Sequence, residues 1–167
     1  AKVIIATDKP FAPVAVNGIK EIFNEAGYET VVLEKYGTQQ ALAEAVADVD
    51  AMIVRSDIVD AEILDAAKNL KIVVRAGAGY DNLDLAGCTN KGVVAMNTPG
   101  QNSNAVAELA FGMMVMAARG FYSGKAGTEL KGKKIGVHAY GNVGQNVGRI
   151  AKGFGMEVYA FDPFMTP

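Results

Sequence analysis

The stretch from Lys133 to Pro163, KKIGVHAYGNVGQNVGRIAKGFGMEVYAFDP, constrains the fold of this chain more than any other. A short apolar run leads through a glycine turn into a helical pattern, and a second apolar run ends at an acid. In such an arrangement the turn lets the backbone approach a diphosphate, and the unpaired first amides of the helix donate to it. The acid at the end of the second strand accepts from ribose hydroxyls. This order of features predicts the first half of a dinucleotide-binding unit.

Five residues carry this prediction. Gly141 and Gly144 supply the turn, Asn142 and Val143 supply the first helical amides, and Asp162 is the acid. The separation between Gly141 and Asp162 fits the roughly 20 residues that one helix and one strand require. Because a carboxylate repels a 2′-phosphate, Asp162 favours NAD over NADP as the cofactor.

Two neighbouring positions modify the pattern. Ala139 stands where the first glycine of the G-x-G-x-x-G pattern belongs, so the tight turn must form with a Cβ present. Gly148 lies four residues after Gly144 on the same face of the predicted helix, and we expect it to let that helix pack closely against the strand.

Composition narrows the class of protein. The chain has 167 residues, half of them apolar, a net charge of −2, one histidine and one cysteine, Cys88. This length is sufficient for a buried core, and without a basic stripe we expect neither a nucleic-acid nor a membrane partner. A single cysteine and an amino-terminal sequence without a signal-peptide pattern favour a cytoplasmic location. One histidine and one cysteine fifty positions apart predict no metal site.

The segment from Lys2 to Asn97 alternates short apolar runs with helical patterns. The runs are too apolar to have a solvated face, so we expect a five-stranded, doubly wound parallel sheet with helices on both sides. Gly27 and Gly92 fall where helices should end. The first domain is therefore predicted to cover residues 1–98, before the connector at Pro99 and Gly100.

A second helix pattern, Ala105–Ala118, follows this connector behind a cap at Asn102 or Ser103. It is apolar nearly all round, which predicts burial on every side. Only two strand patterns follow it, whereas a dinucleotide-binding unit usually has about six strands in two halves. We therefore expect residues 99–167 to hold the first half of such a unit, within a piece of a longer enzyme.

Two arginines in the first domain suggest a ligand. Arg55 and Arg75 follow predicted strands, at the edge where open α/β sheets bind ligands, and paired guanidinium groups favour an acidic substrate. The alternative is that each arginine pairs with a nearby carboxylate, Asp57 or Asp81. The small-residue turn at 76–79 offers amides that could hold a carboxylate.

Together these segments resemble the D-2-hydroxyacid dehydrogenase family. The resemblance covers the whole chain and rests on MIVRSDIVDAEIL, VVRAGAGYDNLDL, NTPGQNSNAVAELAFGMM, TELKGKKIGVHAYGNVG and VYAFDP, in the family's order. It implies a flavodoxin-like substrate-binding domain over residues 1–98. Over residues 99–167 it implies a hinge helix and the N-terminal half of a Rossmann NAD-binding domain.

The resemblance also implies hydride transfer between C2 of a hydroxy acid and NAD. The implied substrate contacts are Arg55, Ser56, Arg75, Gly77 and Gly79, and the implied cofactor contacts are Ala78, Gly141, Asn142, Val143, Gly144 and Asp162. The segments are most like those of members that oxidise 3-phospho-D-glycerate in serine biosynthesis, working as homodimers or larger assemblies through the nucleotide domain. The family's catalytic Arg, Glu and His lie further along the chain, so these 167 residues alone are expected to be inactive.

Two alternatives stay open. The substrate could be another 2-hydroxy acid, such as glycerate, glyoxylate or lactate. The chain could also be a non-catalytic flavodoxin-like module that binds a partner through the helix surface at Ala105–Ala118. His138, the one histidine, is expected to be structural because it falls in the strand before the glycine turn.

Overall fold

The computed structural model of the protein describes residues 1–165. Two compact units are present, Ala1–Thr98 and a second unit that begins at Pro99. The second predicted domain extends to residue 167, and its last two residues lie outside the described ones. Across residues 1–165, no helix has the length and apolar character needed to cross a membrane.

The first unit is a five-stranded α/β sheet. Its strands are β1 (Lys2–Thr7), β2 (Glu29–Glu34), β3 (Ala51–Val54), β4 (Ile72–Arg75) and β5 (Val94–Asn97), and its helices are α1 (Pro13–Glu25), α2 (Gln39–Ala45), α3 (Ala61–Ala66) and α4 (Leu85–Lys91). All strand pairs are parallel, in the order β2-β1-β3-β4-β5. This is the flavodoxin-like order, so the expected fold class is confirmed.

The main core lies on one face of this sheet. Alternate strand residues such as Ile4, Met52 and Val73 are completely buried there, against Leu42 of α2 and Ile63 of α3. Each such side chain contributes about 1.5–3 kcal/mol by leaving water. The alternation of side chains along a strand sends the remaining apolar residues to the opposite face.

That opposite face is only partly covered. The strand order reverses at β1, since β2 lies on one side of it and β3 to β5 lie on the other. Right-handed crossovers therefore place α1 on this second face, and α2 to α4 on the face that holds the main core. Since α1 contacts β2, the far edge is left open, and Val94 and Met96 of β5 are 54% and 50% exposed. The expectation that helices cover both faces is therefore wrong for β5 among the described residues.

Short polar side chains set the helix ends of the first unit. Thr38, Asp60 and Asp84 each accept a hydrogen bond from an amide in the first turn of α2, α3 and α4. Gly92 has φ of 68° directly after α4, and Gly27 has φ of 72° just beyond α1. Both predicted glycine stops are therefore confirmed.

The second unit contains α5 (Ser103–Ala118), a short 3-10 helix (Gly120–Tyr122), β6 (Lys134–His138), α6 (Asn142–Gly153) and β7 (Glu157–Phe161). β6 and β7 pair in parallel, with α6 as the crossover between them. Phe111 of α5, Leu130 and Ala151 of α6 form the centre of a small core. This strand-helix-strand unit is the one that the glycine pattern predicts.

Helix α5 differs from its prediction in its burial. Only Ser103, Ala107 and Phe111 are buried, while Leu109 is 64% and Met113 is 59% exposed. Within the described part of this unit, α5 packs mainly against α6, so one face of an all-round apolar helix stays open. The expectation of burial on every side is wrong for these residues.

The start of α5 also differs from the predicted cap at Asn102 or Ser103. Asn102 occupies the N-cap position, but its side chain makes no capping hydrogen bond. The Ser103 hydroxyl instead donates to the carbonyl of Gly100 (2.6 Å) and accepts from the side-chain amide of Asn146 (3.1 Å). Asn102 thus holds one of the two predicted cap positions without a side-chain cap, and Ser103 fastens the start of α5 to α6 instead.

Candidate functional site

The turn between β6 and α6 leaves helix amides open. Gly141 is the N-cap of α6 and has no side chain with which to cap it. The amides of Asn142 and Val143 donate to no described residue, and both residues are exposed. Unpaired amides at a helix N-terminus carry partial positive charge, so this turn is suited to bind an anion.

The two glycines of this turn differ in what a side chain would meet there. A Cβ on Gly144 would lie 2.2 Å from the carbonyl oxygen of Ala139 and 3.3 Å from Cγ1 of Val137, so glycine lets α6 pack on β6. A Cβ on Gly141 would meet nothing within 4 Å. Since its φ of −73° suits any residue, nothing in the protein requires glycine at 141. The open space there fits the close approach of a ligand.

The packing role expected of Gly148 belongs to Gly144. A Cβ on Gly148 would lie 2.2 Å from the hydroxyl of Tyr140, so Gly148 makes room for the tyrosine ring that lies across α6. The expected contact of Gly148 with the strand is therefore wrong. Tyr140 was not predicted as part of this turn, because its only signal in the sequence is an aromatic residue between Ala139 and Gly141.

Asp162 lies beside this turn. Its Oδ2 accepts from the main-chain N–H of Tyr140 (2.7 Å), and its Oδ1 accepts from that of Phe164 (2.9 Å). These bonds hold the carboxylate between the end of β7 and the loop after β6. Each carboxylate oxygen keeps a further lone pair, so Asp162 can still accept from ribose hydroxyls.

Ala139 adopts an unusual backbone conformation. Its φ is 74°, in the left-handed region that a residue with a Cβ adopts at a cost of about 1–2 kcal/mol. The turn thus keeps the shape that a first glycine would give it.

We expect Ala139→Gly to stabilise the second unit by about 0.5–1 kcal/mol, because relief of strain outweighs the added entropy of the unfolded chain. The matched control is Ala117→Gly on the exposed side of α5, which should destabilise by about 1 kcal/mol. Thermal unfolding of the two variants should shift in opposite directions. A loss of stability in both variants would contradict the inference that the backbone at Ala139 is strained.

A cleft of about 420 Å³ borders this turn, lined by residues of β6 and the start of α6. His138 lies on the cleft as the last residue of β6, with its ring edge-on to that of Phe161 at 5.6 Å. Its expected structural role stays a prediction. Residues 1–165 contain no group of three or more side chains arranged to hold a metal ion.

In the first unit, Arg55 and Arg75 lie at the same edge of the sheet. Arg55 directly follows β3, and Arg75 pairs in register with Val54 as the last residue of β4. Neither guanidinium takes part in an ion pair with a residue in the range 1–165, so pairing with Asp57 or Asp81 is not found. Arg55 is exposed, and its Nη1 lies 3.5 Å from the carbonyl of Pro10.

Part of the loop after β4 already makes hydrogen bonds within the protein. The guanidinium of Arg75 lies over Gly77, where a Cβ would be 1.4 Å from Nη1. The amides of Ala76 and Gly77 donate to the carbonyls of Val54 (2.8 Å) and Arg75 (2.9 Å). Those two amides are not available to a ligand, which corrects the expectation for the whole turn.

The rest of this loop stays open. The amides of Ala78 and Gly79 donate to no described residue, and the carbonyl of Ala78 is held by the side-chain amide of Asn97 (2.7 Å). The loop therefore presents two free donors beside the two arginines. Such a set can bind a carboxylate or phosphate.

Comparison with known proteins identifies one family over most of the chain. The sequence model for the catalytic domain of D-isomer specific 2-hydroxyacid dehydrogenases matches residues 5–161. The chain belongs to this family. The resemblance inferred from the motifs is confirmed, and with it the class of dehydrogenases to which the chain is related.

Three relatives illustrate the range within the family. Hydroxypyruvate reductase of Thermotoga maritima is 40% identical over 149 residues, 81% of this chain and 49% of that protein. D-3-phosphoglycerate dehydrogenase of Sus scrofa is 36% identical over 162 residues, 89% of this chain and 30% of that protein. The crystal structure of NAD⁺-bound 3-phosphoglycerate dehydrogenase from Entamoeba histolytica is 48% identical with a TM-score of 0.93, covering 99% of this chain and 55% of that one. The chain thus spans about half of these proteins or less.

Proposed function

We propose that this chain supplies the substrate-binding unit and the diphosphate-binding half of the cofactor site of an NAD-dependent D-2-hydroxyacid dehydrogenase. The reaction proposed is oxidation of 3-phospho-D-glycerate to 3-phosphohydroxypyruvate, the opening step of phosphorylated serine biosynthesis. The single observation that carries the proposal is the pair of open amides after Gly141 beside the carboxylate of Asp162.

In this proposal the second unit binds NAD. The amides of Asn142 and Val143 donate to the diphosphate, and Gly141 leaves room for it. Asp162 accepts from the adenosine ribose and disfavours a 2′-phosphate. The bound nicotinamide supplies the hydride acceptor. The 48% identity to an enzyme whose structure holds NAD⁺ supports this assignment.

The first unit binds the substrate. Arg55 and Arg75 lie on adjacent strands, next to Ser56 and the loop that holds Gly77 and Gly79. A substrate with a carboxylate at one end and a phosphate at the other needs two cationic contacts, which two guanidinium groups can supply. Relatives named D-3-phosphoglycerate dehydrogenase support the phosphorylated substrate.

A second substrate is also supported by one comparison. The relative from Thermotoga maritima is a hydroxypyruvate reductase at 40% identity, which favours an unphosphorylated hydroxy acid such as glycerate. The two candidates differ by one phosphate. A site that binds this phosphate should therefore prefer 3-phosphoglycerate strongly.

NADH formation by the complete gene product with 3-phosphoglycerate, glycerate and lactate tests the substrate. Arg55→Ala should raise the KM for the preferred acid by an amount equivalent to about 1.5–3 kcal/mol, because one charged contact is lost. The control is Lys68→Ala, an exposed lysine just before β4 at the opposite edge of the sheet. An unchanged KM in Arg55→Ala would remove Arg55 from the substrate site.

A homodimer through the second unit belongs to the same proposal. The exposed apolar residues Leu109 and Met113 of α5 support it, because such residues mark surfaces that bind protein. Size-exclusion chromatography over a range of concentrations, with NAD titration, separates this proposal from a non-catalytic module. Association without NAD binding would favour the module. The cytoplasmic location stays a prediction.

A further inference from the structure

Asp57 is the only buried acidic side chain in residues 1–165, and it is 7% exposed. A carboxylate is stable in such a place only when other groups compensate its charge. No Lys or Arg side chain within the described range forms an ion pair with it. Its compensation comes from hydrogen-bond donors.

The donors to the carboxylate come from the loops after β1, β2 and β3, at the carboxyl edge of the sheet. Oδ1 of Asp57 accepts from the main-chain N–H of Asp8 (2.7 Å), after β1, and from the hydroxyl of Tyr36, after β2. Oδ2 accepts from the main-chain N–H of Arg55 (3.2 Å), after β3. The carbonyl of Asp57 accepts from the side chain of Asn82 (2.7 Å), after β4. One residue thus connects four of the five loops.

The bond to Arg55 shapes the turn that holds the proposed substrate contacts. The bond joins the carboxylate of Asp57 to a main-chain amide two residues earlier, so it ties the two ends of this short turn together. With Asp57 buried at one end of this turn, Arg55 and Ser56 are both exposed on it.

Tyr36 strengthens the arrangement. Burial raises the pKa of Tyr36 well above its usual value. The hydrogen bond to Asp57 and the negative charges of Asp57 and Asp8 raise it further. Its phenol therefore remains a donor at every physiological pH. The hydrogen bond is present below the ordinary phenol pKa and is lost only at strongly alkaline pH.

We propose that Asp57 is a positioning residue, which fixes the turn at Arg55 and Ser56 relative to the loops after β1, β2 and β4 without touching the substrate. The inference rests on the proposed substrate role of Arg55. It predicts that Asp57 affects binding of the acid, through Arg55, rather than binding of NAD.

Steady-state kinetics of the complete gene product test this. Asp57→Asn should raise the KM for the hydroxy acid about 10–100-fold, with the KM for NAD within about twofold and kcat within about threefold. Tyr36→Phe removes one donor and should raise the KM for the acid about threefold. The control is Asp48→Asn, an exposed acid paired with Lys2 at the opposite edge of the sheet, which should behave as wild type.

Hydrogen exchange gives a second readout that does not depend on turnover. The amides of Asp8 and Arg55 should exchange faster in Asp57→Asn, while those inside β1 keep their wild-type rates. If the wild type oxidises no hydroxy acid, the proposed function fails, and exchange at Arg55 alone decides whether Asp57 holds the turn.

Several outcomes would overturn the inference. A wild-type KM for the acid in an active Asp57→Asn variant would do so, as would equal losses for the acid and NAD. Unchanged exchange at Arg55 would also overturn it. If Asp57→Asn does not fold, Tyr36→Phe decides, because a raised KM for the acid supports the inference and an unchanged one contradicts it.

Discussion

Gly141→Ala should raise the Kd for NAD at least about tenfold, equivalent to about 1.4 kcal/mol, without unfolding the protein. A Cβ at this position meets no protein atom within 4 Å, and the φ of −73° tolerates alanine. Alanine is a poorer N-cap than glycine, but it also lowers the entropy of the unfolded chain, so these two effects on stability offset each other within about 1 kcal/mol. The methyl group would instead occupy the space proposed for the diphosphate.

Gly144→Ala provides the opposite case. Its Cβ would lie 2.2 Å from the carbonyl oxygen of Ala139, a backbone atom that cannot move without shifting the turn. Forcing α6 away from β6 should cost about 1–3 kcal/mol of unfolding free energy. The midpoint of thermal unfolding should fall by about 4–8 °C for each 1 kcal/mol.

Isothermal titration with NAD and thermal unfolding of both variants measure the contrast. Gly141→Ala should lose affinity at nearly unchanged stability, whereas Gly144→Ala should lose stability first. Wild-type affinity in Gly141→Ala would show that the open space at this residue is not where the diphosphate binds.

The sequence predicted the features of this fold that arise from local pattern. Apolar runs separated by helical periodicity gave the strands, and Gly92 marked the end of α4 because only a left-handed residue satisfies that turn. The proximity of Asp162 to the glycine turn was also predictable. Parallel strands β6 and β7 bring their carboxyl ends to the same edge of the sheet.

Features that depend on tertiary neighbours could not be predicted in this way. The composition of α5 indicates a buried helix, but burial depends on which elements surround it, and Leu109 is 64% exposed. Asp57 follows Arg55 closely enough to suggest an ion pair. The structure uses its carboxylate for Asp8 and Tyr36 instead, which lie far away in sequence. Hydrogen bonds between distant loops leave no periodic signal.

Asp162→Ala should weaken NAD binding about 10–100-fold and reduce the preference for NAD over NADP. The loss of affinity has two sources. The carboxylate accepts from the amide of Tyr140 at 2.7 Å, so its removal loosens the turn, and it is also the proposed acceptor for the ribose hydroxyls. Affinity for NAD alone cannot separate them.

The ratio of the two affinities does separate them. A loosened turn weakens NAD and NADP equally, because both carry the same diphosphate, whereas loss of the negative charge removes repulsion only from the 2′-phosphate of NADP. Asp162→Asn keeps one acceptor oxygen but no charge, so its preference should shift toward NADP with a smaller loss of NAD affinity. Glu157→Gln, at the other end of β7, is the matched control and should leave both affinities unchanged. Equal losses for NAD and NADP in both Asp162 variants would limit Asp162 to a structural role, while a changed ratio would place its carboxylate at the ribose.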